Sequence, residues 1–434
     1  MFLPKLREGK KRIQKDNIVF AGLDQNARID DNYLSACTNL SFKNLPLLSA
    51  RPPRETLYTL ASAKAMFAAN SKLAWVDGTD FKYDNTTEGT VTASEKYMVD
   101  FNGKILIFPD KKSYDYGTDT FANIGTGTYP AAGSTPDIDY VTTYMNRVFG
   151  CKGSDVYATA LGDYDDWTTF AGVSTDAYAA DVETEGGNFT GIIAYRSSVI
   201  IFKQDRMYEL LGNRPANFSI SLVDKVGALN GKAMCEVNQV LYFAGPKGIY
   251  AFNGGTPKLI SVPLNDVYST AVMGTDGRLL YVSLYNGTSY KLYVYDTLVG
   301  GWLQEDTTRY LDFVRIGNYV YGLASTGPLQ KFNSSTETIA WTLETKDFTE
   351  DVFNKKLLTR IFVHITLETG SSATLSTSKD GAAYASQVTW STAGQASYRQ
   401  PVDISAGSRI KIKLAGSGDF KLHQLTREFF VNED

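Results

Sequence analysis

Three aspartates lie within the five-residue segment DYDDW, at residues 163–167. Grouped carboxylates could serve a glycoside hydrolase, which needs two of them flanking one bond, or could bind calcium through several oxygen atoms. The segment lacks the ligand pattern of a calcium-binding loop, and acidic turns between strands are common on solvated surfaces. We therefore expect Asp163, Asp165 and Asp166 to form a surface turn.

Other residue types that catalyse reactions or bind metals are few. The two histidines, His364 and His423, each stand apart in the sequence from any second histidine or cysteine pair, which favours a structural role. The three cysteines form no CxxC motif, so we expect neither a zinc site nor a set of disulfides. A GxSxG elbow, a P-loop and a GxGxxG motif are missing. The sequence predicts no catalytic residue, no metal and no cofactor, in a protein that is not an enzyme.

The composition is that of a globular chain. Its 434 residues are 43% hydrophobic and 13% aromatic, which is enough for a large core or for more than one domain. The 43 basic and 47 acidic residues nearly balance, so no strong overall field attracts nucleic acid. The amino terminus lacks the apolar stretch of a secretory signal, and no apolar run reaches the length of about 18 residues needed for a membrane helix. These features predict a soluble protein made in the cytoplasm.

A turn-and-strand unit recurs seven times between residues 66 and 334. Each unit begins with turn-forming residues and continues with an apolar or aromatic run such as KLAWV, KILIF, VIIF or RLLYV. Such turns and runs are typical of antiparallel strands, and a repeat of about 41 residues is typical of a β-propeller blade. The turn pairs are Asn70-Ser71, Asn102-Gly103, Asn146-Arg147, Ser197-Ser198, Asn238-Gln239, Asp276-Gly277 and Gly317-Asn318. We predict an all-β fold whose body is a propeller of about seven blades.

The rest of the chain divides around this repeat. Residues 1–55 are basic at first and later contain three prolines, which remove backbone donors, so we expect an extended amino-terminal arm rather than a member of a sheet. The propeller is expected to span residues 56–338, and its segment 117–139, rich in Gly, Thr, Ala and Pro, predicts an inserted loop. Residues 339–434 alternate apolar and polar positions, which favours a separate carboxy-terminal β-sandwich.

Two features of this division stay open in the sequence. The ring of blades could be closed by a strand from the arm or by the segment TIAWTL at residues 338–343, so the blade count is predicted to within one. Residues 56–69 have a helix-favouring composition and could equally form the first strand of the first blade.

Residues outside the repeated strands are the candidates for partner contacts. Basic residues near the amino terminus could bind phosphate or an acidic protein surface, although a solvated tail is the simpler interpretation. Aromatic residues near the inserted loop could anchor a partner. The candidates are Lys10, Lys11, Arg12, Arg51, Arg54, Tyr114, Tyr116, Phe121 and Tyr129. The arginines near the repeated hairpins stand at different offsets from the turns, which argues against a sialidase-like cluster of Arg147, Arg196, Arg278 and Arg315.

Residues 18–54 contain an FxGLxxN stretch, then NLS and LLSxRPxR motifs, and resemble the amino-terminal signature of tailed-bacteriophage virion proteins. Residues 200–261, with MYELLG, the GxxN segment at 227–230 and GIYAFNGG, are similar to the central blades of phage stabilisation, nozzle or tail-hub proteins. SKDGAAY and SRIKIKLAGSGDFKLHQL resemble the β-sandwich that ends such proteins. The signature residues are Phe20, Gly22, Leu23, Asn26, Asn39, Leu40, Ser41, Leu47, Leu48, Ser49, Arg51, Pro52 and Arg54.

The resemblance implies a non-enzymatic structural protein of a phage particle, in the neck or tail, as a head-to-tail connection, nozzle or hub that docks other tail proteins. The implied partners are copies of itself in a ring, portal or adaptor proteins and other tail proteins, with DNA nearby and no membrane span. The arm would cross to a neighbouring copy, so deletion of residues 1–55 is expected to spare the fold and block assembly. A carbohydrate-binding or carbohydrate-hydrolysing propeller and a cellular interaction scaffold are the alternatives.

Overall fold

The computed structural model describes residues 11–183, 185–334, 337–350, 355–402 and 407–431. Within these ranges the chain is almost entirely β-strand, with two short 3₁₀ helices at Pro215–Asn217 and Val262–Leu264. None of the helices in the described ranges has the length and apolar character needed to cross a membrane. The prediction of an all-β fold is confirmed.

Six strands precede the first blade. They are β1 (Lys11–Asn17), β2 (Gly22–Leu23), β3 (Tyr33–Thr38), β4 (Leu40–Asn44), β5 (Leu47–Ala50) and β6 (Arg54–Thr59). The three prolines of this region, Pro46, Pro52 and Pro53, lie between β4 and β5 or between β5 and β6. They therefore separate strands without interrupting one, which is where proline is tolerated.

Seven four-stranded antiparallel sheets form the blades of a propeller. Blade one contains β7 (Ala63–Ala69), β8 (Lys72–Asp77), β9 (Asp80–Tyr83) and β10 (Thr86–Thr90). Blade two contains β11 (Tyr97–Phe101), β12 (Lys104–Phe108), β13 (Lys112–Asp115) and β14 (Thr120–Asn123). Blade three contains β15 (Tyr140–Tyr144), β16 (Arg147–Lys152), β17 (Asp155–Ala158) and β18 (Tyr178–Asp181). Blade four contains β19 (Phe189–Tyr195), β20 (Ser198–Lys203), β21 (Met207–Leu211) and β22 (Ser219–Asp224). Blade five contains β23 (Met234–Val237), β24 (Val240–Gly245), β25 (Gly248–Phe252) and β26 (Lys258–Leu259). Blade six contains β27 (Thr270–Thr275), β28 (Leu279–Tyr285), β29 (Tyr290–Asp296) and β30 (Gly301–Gln304). Blade seven contains β31 (Tyr310–Ile316), β32 (Tyr319–Ala324), β33 (Pro328–Phe332) and the earlier β6.

The first two strands of every blade form the hairpin that the sequence predicts. In blade one, the Asn70-Ser71 turn takes φ angles of 49° and 59°, as a two-residue hairpin turn requires. In blades three and four the turn lies one residue earlier than predicted, at Met145-Asn146 and Arg196-Ser197. The prediction of about seven blades is confirmed, with seven found in the described ranges.

The amino-terminal segment closes the ring of blades. Strand β6 is the outermost strand of blade seven, where Arg54 pairs with Phe332 and Thr59 with Pro328 of β33. Of the two closing segments that the sequence leaves open, the one before the repeat is therefore used. Residues 56–69 lie in β6 and β7, so their helix-favouring composition is overridden by the sheet that they join.

The last strands are β34 (Ala340–Thr345), β35 (Lys356–Leu367), β36 (Ser372–Lys379), β37 (Ala385–Trp390), β38 (Gly394–Pro401), β39 (Ile410–Ser417) and β40 (Phe420–Val431). Together with β1–β5 they build two six-stranded sheets. One has the order β38-β35-β40-β5-β4, with β1 also paired to β40, and the other has the order β2-β3-β34-β39-β36-β37. Side chains from both sheets share one buried core, as a β-sandwich requires, including Leu343, Val363, Leu414 and Leu422.

Residues 11–50 are thus built into the sandwich, and the prediction of an extended arm is wrong. Strand β1 pairs with β40 from Lys11 opposite Val431 to Asn17 opposite Leu425. Strands β3 and β5 pair with β34 and β40. The physical reason is burial, because apolar side chains of this segment complete the core of both sheets, namely Leu23, Leu34, Leu40 and Leu48. The predicted boundary at residue 55 falls inside β6.

The sandwich packs directly on blades five and six. One core contains Trp341 of the sandwich together with Ile249 of blade five and Trp302 of blade six. Strand β2 lies so close to β30 that a Cβ on Gly22 would be 2.5 Å from the carbonyl oxygen of Trp302. Gly22 also has a φ angle of 112°, which favours glycine. The propeller and the sandwich therefore form one continuous packed unit.

Candidate functional site

The basic residues predicted to form a tail have separate positions. Lys10 lies outside the described residues, and Lys11 begins β1. The Arg12 side chain is 53% exposed and forms an ion pair with the buried carboxylate of Glu428 in β40. Arg360 of β35 holds the same carboxylate at 3.0 Å. Arg12 therefore ties β1 to the sandwich.

Arg51 and Arg54, two predicted partner contacts, are buried. The Arg51 guanidinium donates to both carboxylate oxygens of Glu337, at 3.1 and 3.0 Å, and to the side chain of Asn39 at 2.7 Å. Glu337 also accepts a hydrogen bond from the backbone N–H of Arg54 at 3.0 Å. Both arginines fix the passage from the sandwich into the closing strand, so the prediction that they contact partners is wrong. An arginine is rarely buried unless it is paired, as both are here.

The Arg54 guanidinium is enclosed by two carboxylates and two aromatic rings. It donates to Glu305, to Asp306 at 2.5 Å and to the hydroxyl of Tyr310 at 3.0 Å. Its central carbon lies 4.5 Å from the ring centre of Phe332. Burial raises the pKa of Glu305 despite the arginine. Burial acts in the same direction on Asp306, but the charge of Arg54 and local hydrogen bonds outweigh it and lower that pKa.

The four aromatic candidates belong to blade two and the connection after it. Strand β14 lies inside the segment predicted to be a loop, so only residues 124–139 form the connection. Tyr114 is fully buried and donates to Asp119 at 2.9 Å, so it cannot contact a partner. Aromatic side chains of strands pack between neighbouring sheets, which explains this position. The other three also have ring neighbours: Tyr116 with Tyr83, Phe121 with Phe81 and Tyr129 with Tyr157.

The DYDDW segment lies between β17 and β18 of blade three. Asp166 accepts hydrogen bonds from the backbone N–H groups of Thr168 and Thr169 at 3.0 Å, and Asp163 accepts one from Asp165 at 2.9 Å. These are the surface turns that the sequence predicts. In the part of the chain that the structure describes, no group of three or more His, Cys, Asp or Glu side chains could hold a metal ion.

The blade-three loop, residues 159–177, is fixed by hydrogen bonds from a buried arginine and exposes apolar side chains to solvent. Arg147 is buried beneath it and donates to the backbone carbonyls of Thr159 and Asp176 at 2.5 Å and of Ser174 at 2.8 Å. Single exposed apolar side chains are common on protein surfaces, and the presence of three on one ordered loop makes this loop a candidate contact surface. The exposed fractions are 44% for Leu161, 55% for Phe170 and 55% for Val173.

The four arginines near the hairpins do not converge on one site. Besides Arg147, three others are engaged in separate places: Arg196 with the carbonyls of Gln239 and Asn253, Arg278 with Asp296, and Arg315 with the carbonyl of Gly317. The four arginines stand at different distances in sequence from the hairpin turns, and in the structure they lie at unrelated positions. The arrangement argues against an arginine cluster for a substrate carboxylate.

The two histidines, far apart in the sequence, are adjacent in the sandwich. His364 of β35 and His423 of β40 stack with ring centres 4.5 Å apart, because these two strands pair. Burial, and then the neighbouring His364, lower the pKa of His423. Each ring also bonds a neutral side chain, Thr366 at 2.9 Å or Gln395 at 2.8 Å. These partners fit the structural role expected of both residues.

Residues 229–232, in the connection between β22 of blade four and β23 of blade five, reach the propeller axis. A Cβ on Gly231 would lie 2.6 Å from the rings of both Tyr97 in blade two and Tyr140 in blade three, so only glycine fits there. Beside this segment is the axial cavity, about 470 Å³ in volume, whose walls come from blades one, two, five, six and seven. Cavities of this size commonly hold small molecules.

Lys232 connects several blades at the wall of the axial cavity. Its ammonium lies 2.7 Å from the Asp312 carboxylate of blade seven and 3.4 Å from the Glu95 carboxylate beside blade two. Asp312 also accepts a hydrogen bond from the backbone N–H of Met66 in blade one at 2.9 Å. Burial raises the pKa of Asp312 to about 6, although Lys232 acts in the opposite direction. The sequence did not predict the contact between Lys232 and Asp312, because the two residues are 80 positions apart and no motif links them.

We expect Asp312 to make the protein less stable as pH rises from about 4 to about 6. In this range the folded protein keeps a proton on Asp312 that the unfolded chain has already released. Asp312→Asn does not titrate and keeps an acceptor for Met66, so its unfolding free energy should gain about 2 kcal/mol relative to wild type across this range. Urea denaturation at pH values from about 4 to about 7 measures the difference, and a pH-independent difference would contradict the raised pKa.

No protein-family model and no curated protein sequence matches the chain. Among solved structures, it is similar to the N-terminal domain of Nup159, at 9% identity over 65% of this chain and 94% of that chain, with a TM-score of 0.38. It is also similar to the extracellular domain of the hybrid two-component system BT4673 from B. thetaiotaomicron, at 10% identity over 88% of this chain and 62% of that chain, with a TM-score of 0.43. A third similar structure is the exo-beta-1,3-galactanase from Phanerochaete chrysosporium, at 9% identity over 70% of this chain and 99% of that chain, with a TM-score of 0.27. At these identities and TM-scores, the similar structures give no information about the activity or partners of this chain. The propeller is assigned from the seven four-stranded sheets of the chain itself.

Proposed function

We propose that the protein is a non-enzymatic structural component of a tailed-phage particle, in the neck or tail, that docks other tail proteins. The observation that carries the proposal is where the virion-like signature residues lie. Phe20, Leu23, Leu40 and Leu48 are buried in the core that joins the sandwich to blades five and six, and Gly22 allows the close approach of β2 to β30. A signature that builds a junction between two domains fits a protein whose task is to hold a fixed shape.

The proposal places DNA beside the propeller and not within it. Lys232 of blade five reaches Asp312 of blade seven at 2.7 Å, and Gly231 lies against Tyr97 and Tyr140. These contacts cross the axis, and the axial cavity beside them, about 470 Å³ in volume, is too small for a DNA duplex, whose major groove alone is about 12 Å wide. In a ring of copies, DNA would pass through the centre of the ring.

The blade-three loop is the surface that we assign to docking of tail proteins. The apolar side chains of Phe170 and Val173 are exposed to solvent, and Met145 of the neighbouring turn is 50% exposed. Because buried Arg147 already holds three carbonyls of the loop, little conformational freedom remains to be lost on binding. Residues 11–50 are built into the sandwich, so we assign the docking contact to the loop and not to this segment.

A carbohydrate hydrolase is less well supported by the geometry. Its two carboxylates would have to stand on either side of a glycosidic bond. At the axial cavity, Asp312 and Glu95 instead meet on the single ammonium of Lys232, at 2.7 and 3.4 Å. Asp312 is also only 13% exposed. A cellular interaction scaffold is compatible with the same fold, so the composition of purified particles has to separate it from a virion protein.

Purified phage particles provide the test of the proposed role. Mass spectrometry of particles from the source of the gene should detect peptides from both the propeller and the sandwich, and portal, terminase and tail genes should lie beside this gene. Recovery of the chain only from the soluble host fraction, and never with particles, would contradict the proposal.

A variant pair tests the docking surface in a phage that lacks its own copy of the gene. The double variant Phe170→Ser and Val173→Ser should lower the yield of tailed particles by at least about tenfold, because it removes exposed apolar anchors without touching the core. The matched control is Leu298→Ser, at a site that is 70% exposed in blade six. Equal yields from the two variants would show that the loop is not the docking surface.

A further inference from the structure

We propose that the axial cavity binds a small hydroxylated molecule that carries a carboxylate or phosphate group. This inference does not depend on the virion role. Three cations line the cavity, Lys64, Lys232 and Arg309. Glu95 also lines the cavity, and it pairs with Lys232, as does Asp312 beside the wall. Within the described ranges, Lys64 and Arg309 have no carboxylate partner, so the wall carries positive charge that an oxyanion would neutralise.

Arg309 is positioned by contacts that leave its donors free. Its central carbon lies 5.0 Å from the ring centre of Tyr290, and that ring packs at a tilt against Tyr285, with ring centres 4.8 Å apart. The Arg309 carbonyl accepts a hydrogen bond from the backbone N–H of Ser325 at 2.9 Å. Stacking on an aromatic face orients a guanidinium without using its N–H groups, which match the geometry of carboxylate and phosphate.

Lys64 lies at an irregularity in the inner strand of blade one. The pairing of β7 with β8 shifts between Ala63 and Ala65, so Lys64 is an extra residue in its strand. Blade seven has the same kind of shift between Tyr310 and Asp312. Bulges re-aim side chains and are frequent beside binding sites. The extra residues of the two bulges, Lys64 and Leu311, both lie in the wall of the axial cavity.

The remaining wall indicates the body of the ligand. Hydroxyl groups line the cavity beside the two free cations, and the volume of about 470 Å³ suits a molecule of sugar size. An oxyanion in the cavity would be attracted by both of these cations. The hydroxyl-bearing residues are Ser269, Thr270, Ser283, Tyr290, Tyr310 and Ser325, of which Ser269 and Ser283 already donate to the backbone carbonyls of Tyr285 and Thr308.

Isothermal titration of the full-length protein with four probes tests the inference. Glucose 6-phosphate or glucuronate should bind with a Kd below about 1 mM, and glucose should bind at least about tenfold more weakly. The two acids distinguish a phosphate ligand from a carboxylate ligand. Absence of binding by both acids, or equal binding by glucose, would overturn the proposal. Inorganic phosphate binding as tightly as glucose 6-phosphate would overturn the hydroxylated body of the ligand.

Single variants then locate the site. Lys64→Met and Arg309→Met should each weaken binding of the acidic sugar by at least about tenfold, because each removes a charge-assisted hydrogen bond. Their melting temperatures should stay close to the wild-type value, since neither side chain has an ion pair to lose within the described ranges and the contact of Arg309 with the Tyr290 ring contributes little to stability. The matched control is Arg315→Met, an exposed arginine of the same blade outside the cavity. Unchanged affinity in both Lys64→Met and Arg309→Met would exclude the axial cavity as the site.

Discussion

A chain that lacks residues 1–55 is expected to lose its cooperative unfolding transition, because this deletion removes β1–β5 and the start of β6. Phe20, Leu23, Leu40 and Leu48 are at most 6% exposed, and a buried side chain of this kind contributes about 1.5–3 kcal/mol. Four such contributions approach the whole stability of a typical domain, about 5–15 kcal/mol. Circular dichroism and limited proteolysis of the purified chain measure the outcome.

Two matched changes separate folding from any effect of chain length. Deletion of residues 1–9 removes none of the described strands and should leave the melting temperature unchanged. Within the next segment, Leu23 is 1% exposed and Val19 is 53% exposed. Leu23→Asp should therefore unfold the junction, whereas Val19→Asp should be tolerated, because only the first buries an unpaired charge. A stable Leu23→Asp variant, or a truncated chain that melts like wild type, would restore the idea of a dispensable arm.

The hairpins of the propeller could be predicted because their signals are local. A turn such as Asn70-Ser71 and the apolar run after it are neighbours in the chain, so the residues that specify the hairpin stand together in the sequence. The seven-fold repetition then identifies the architecture. Even the two shifted turns miss by a single residue.

The long-range pairings could not be predicted in this way. Strand β6 meets β33 across most of the chain, with Arg54 opposite Phe332, and no local pattern marks such a partner. Strand β1 pairs with β40 from the opposite end of the sequence. The prolines and charges of the first residues look like those of a free arm, but the apolar positions between them are decided by the sheets that they complete.

Buried charges were also beyond the sequence. Arg51 and Arg54 have the residue type and the surroundings of surface side chains, and only the fold brings Glu337, Glu305 and Asp306 to them. The same holds for Lys232 and Asp312 at the axial cavity. An isolated charge gives no sign in the sequence of whether a distant partner allows its burial.

Arg54→Met is expected to lower the unfolding free energy by about 3–5 kcal/mol, since it leaves buried acidic groups without their cation. Methionine keeps the contact with Phe332 but cannot donate to Glu305, whose side chain is 4% exposed. The matched control is Arg315→Met in the same blade, where the guanidinium is exposed and donates to the carbonyl of Gly317. This control should change the unfolding free energy by less than about 0.5 kcal/mol. Urea denaturation at neutral pH measures both variants.

The deficit of Arg54→Met should depend on pH. Burial raises the pKa of Glu305 even when Arg54 is present, so without the arginine the folded state holds this proton more firmly. A carboxyl group with a raised folded-state pKa makes the protein less stable as pH rises above the unfolded-state value of about 4.3. The deficit should therefore be larger at about pH 7 than at about pH 5, and a deficit that grows on acidification would contradict this mechanism.

Combining Arg54→Met with Glu305→Gln tests whether the loss comes from the uncompensated charge. Glutamine fills the same space without a charge, so the double variant should be more stable than Arg54→Met by about 1–3 kcal/mol. It should stay below wild type, because Tyr310 and Asp306 still lose their hydrogen-bond donor. A double variant no more stable than Arg54→Met would attribute the loss to the hydrogen bonds with Asp306 and Tyr310 and not to the charge of Glu305. Recovery would show that the ring is closed by a strand whose first residue neutralises the acidic end of blade six.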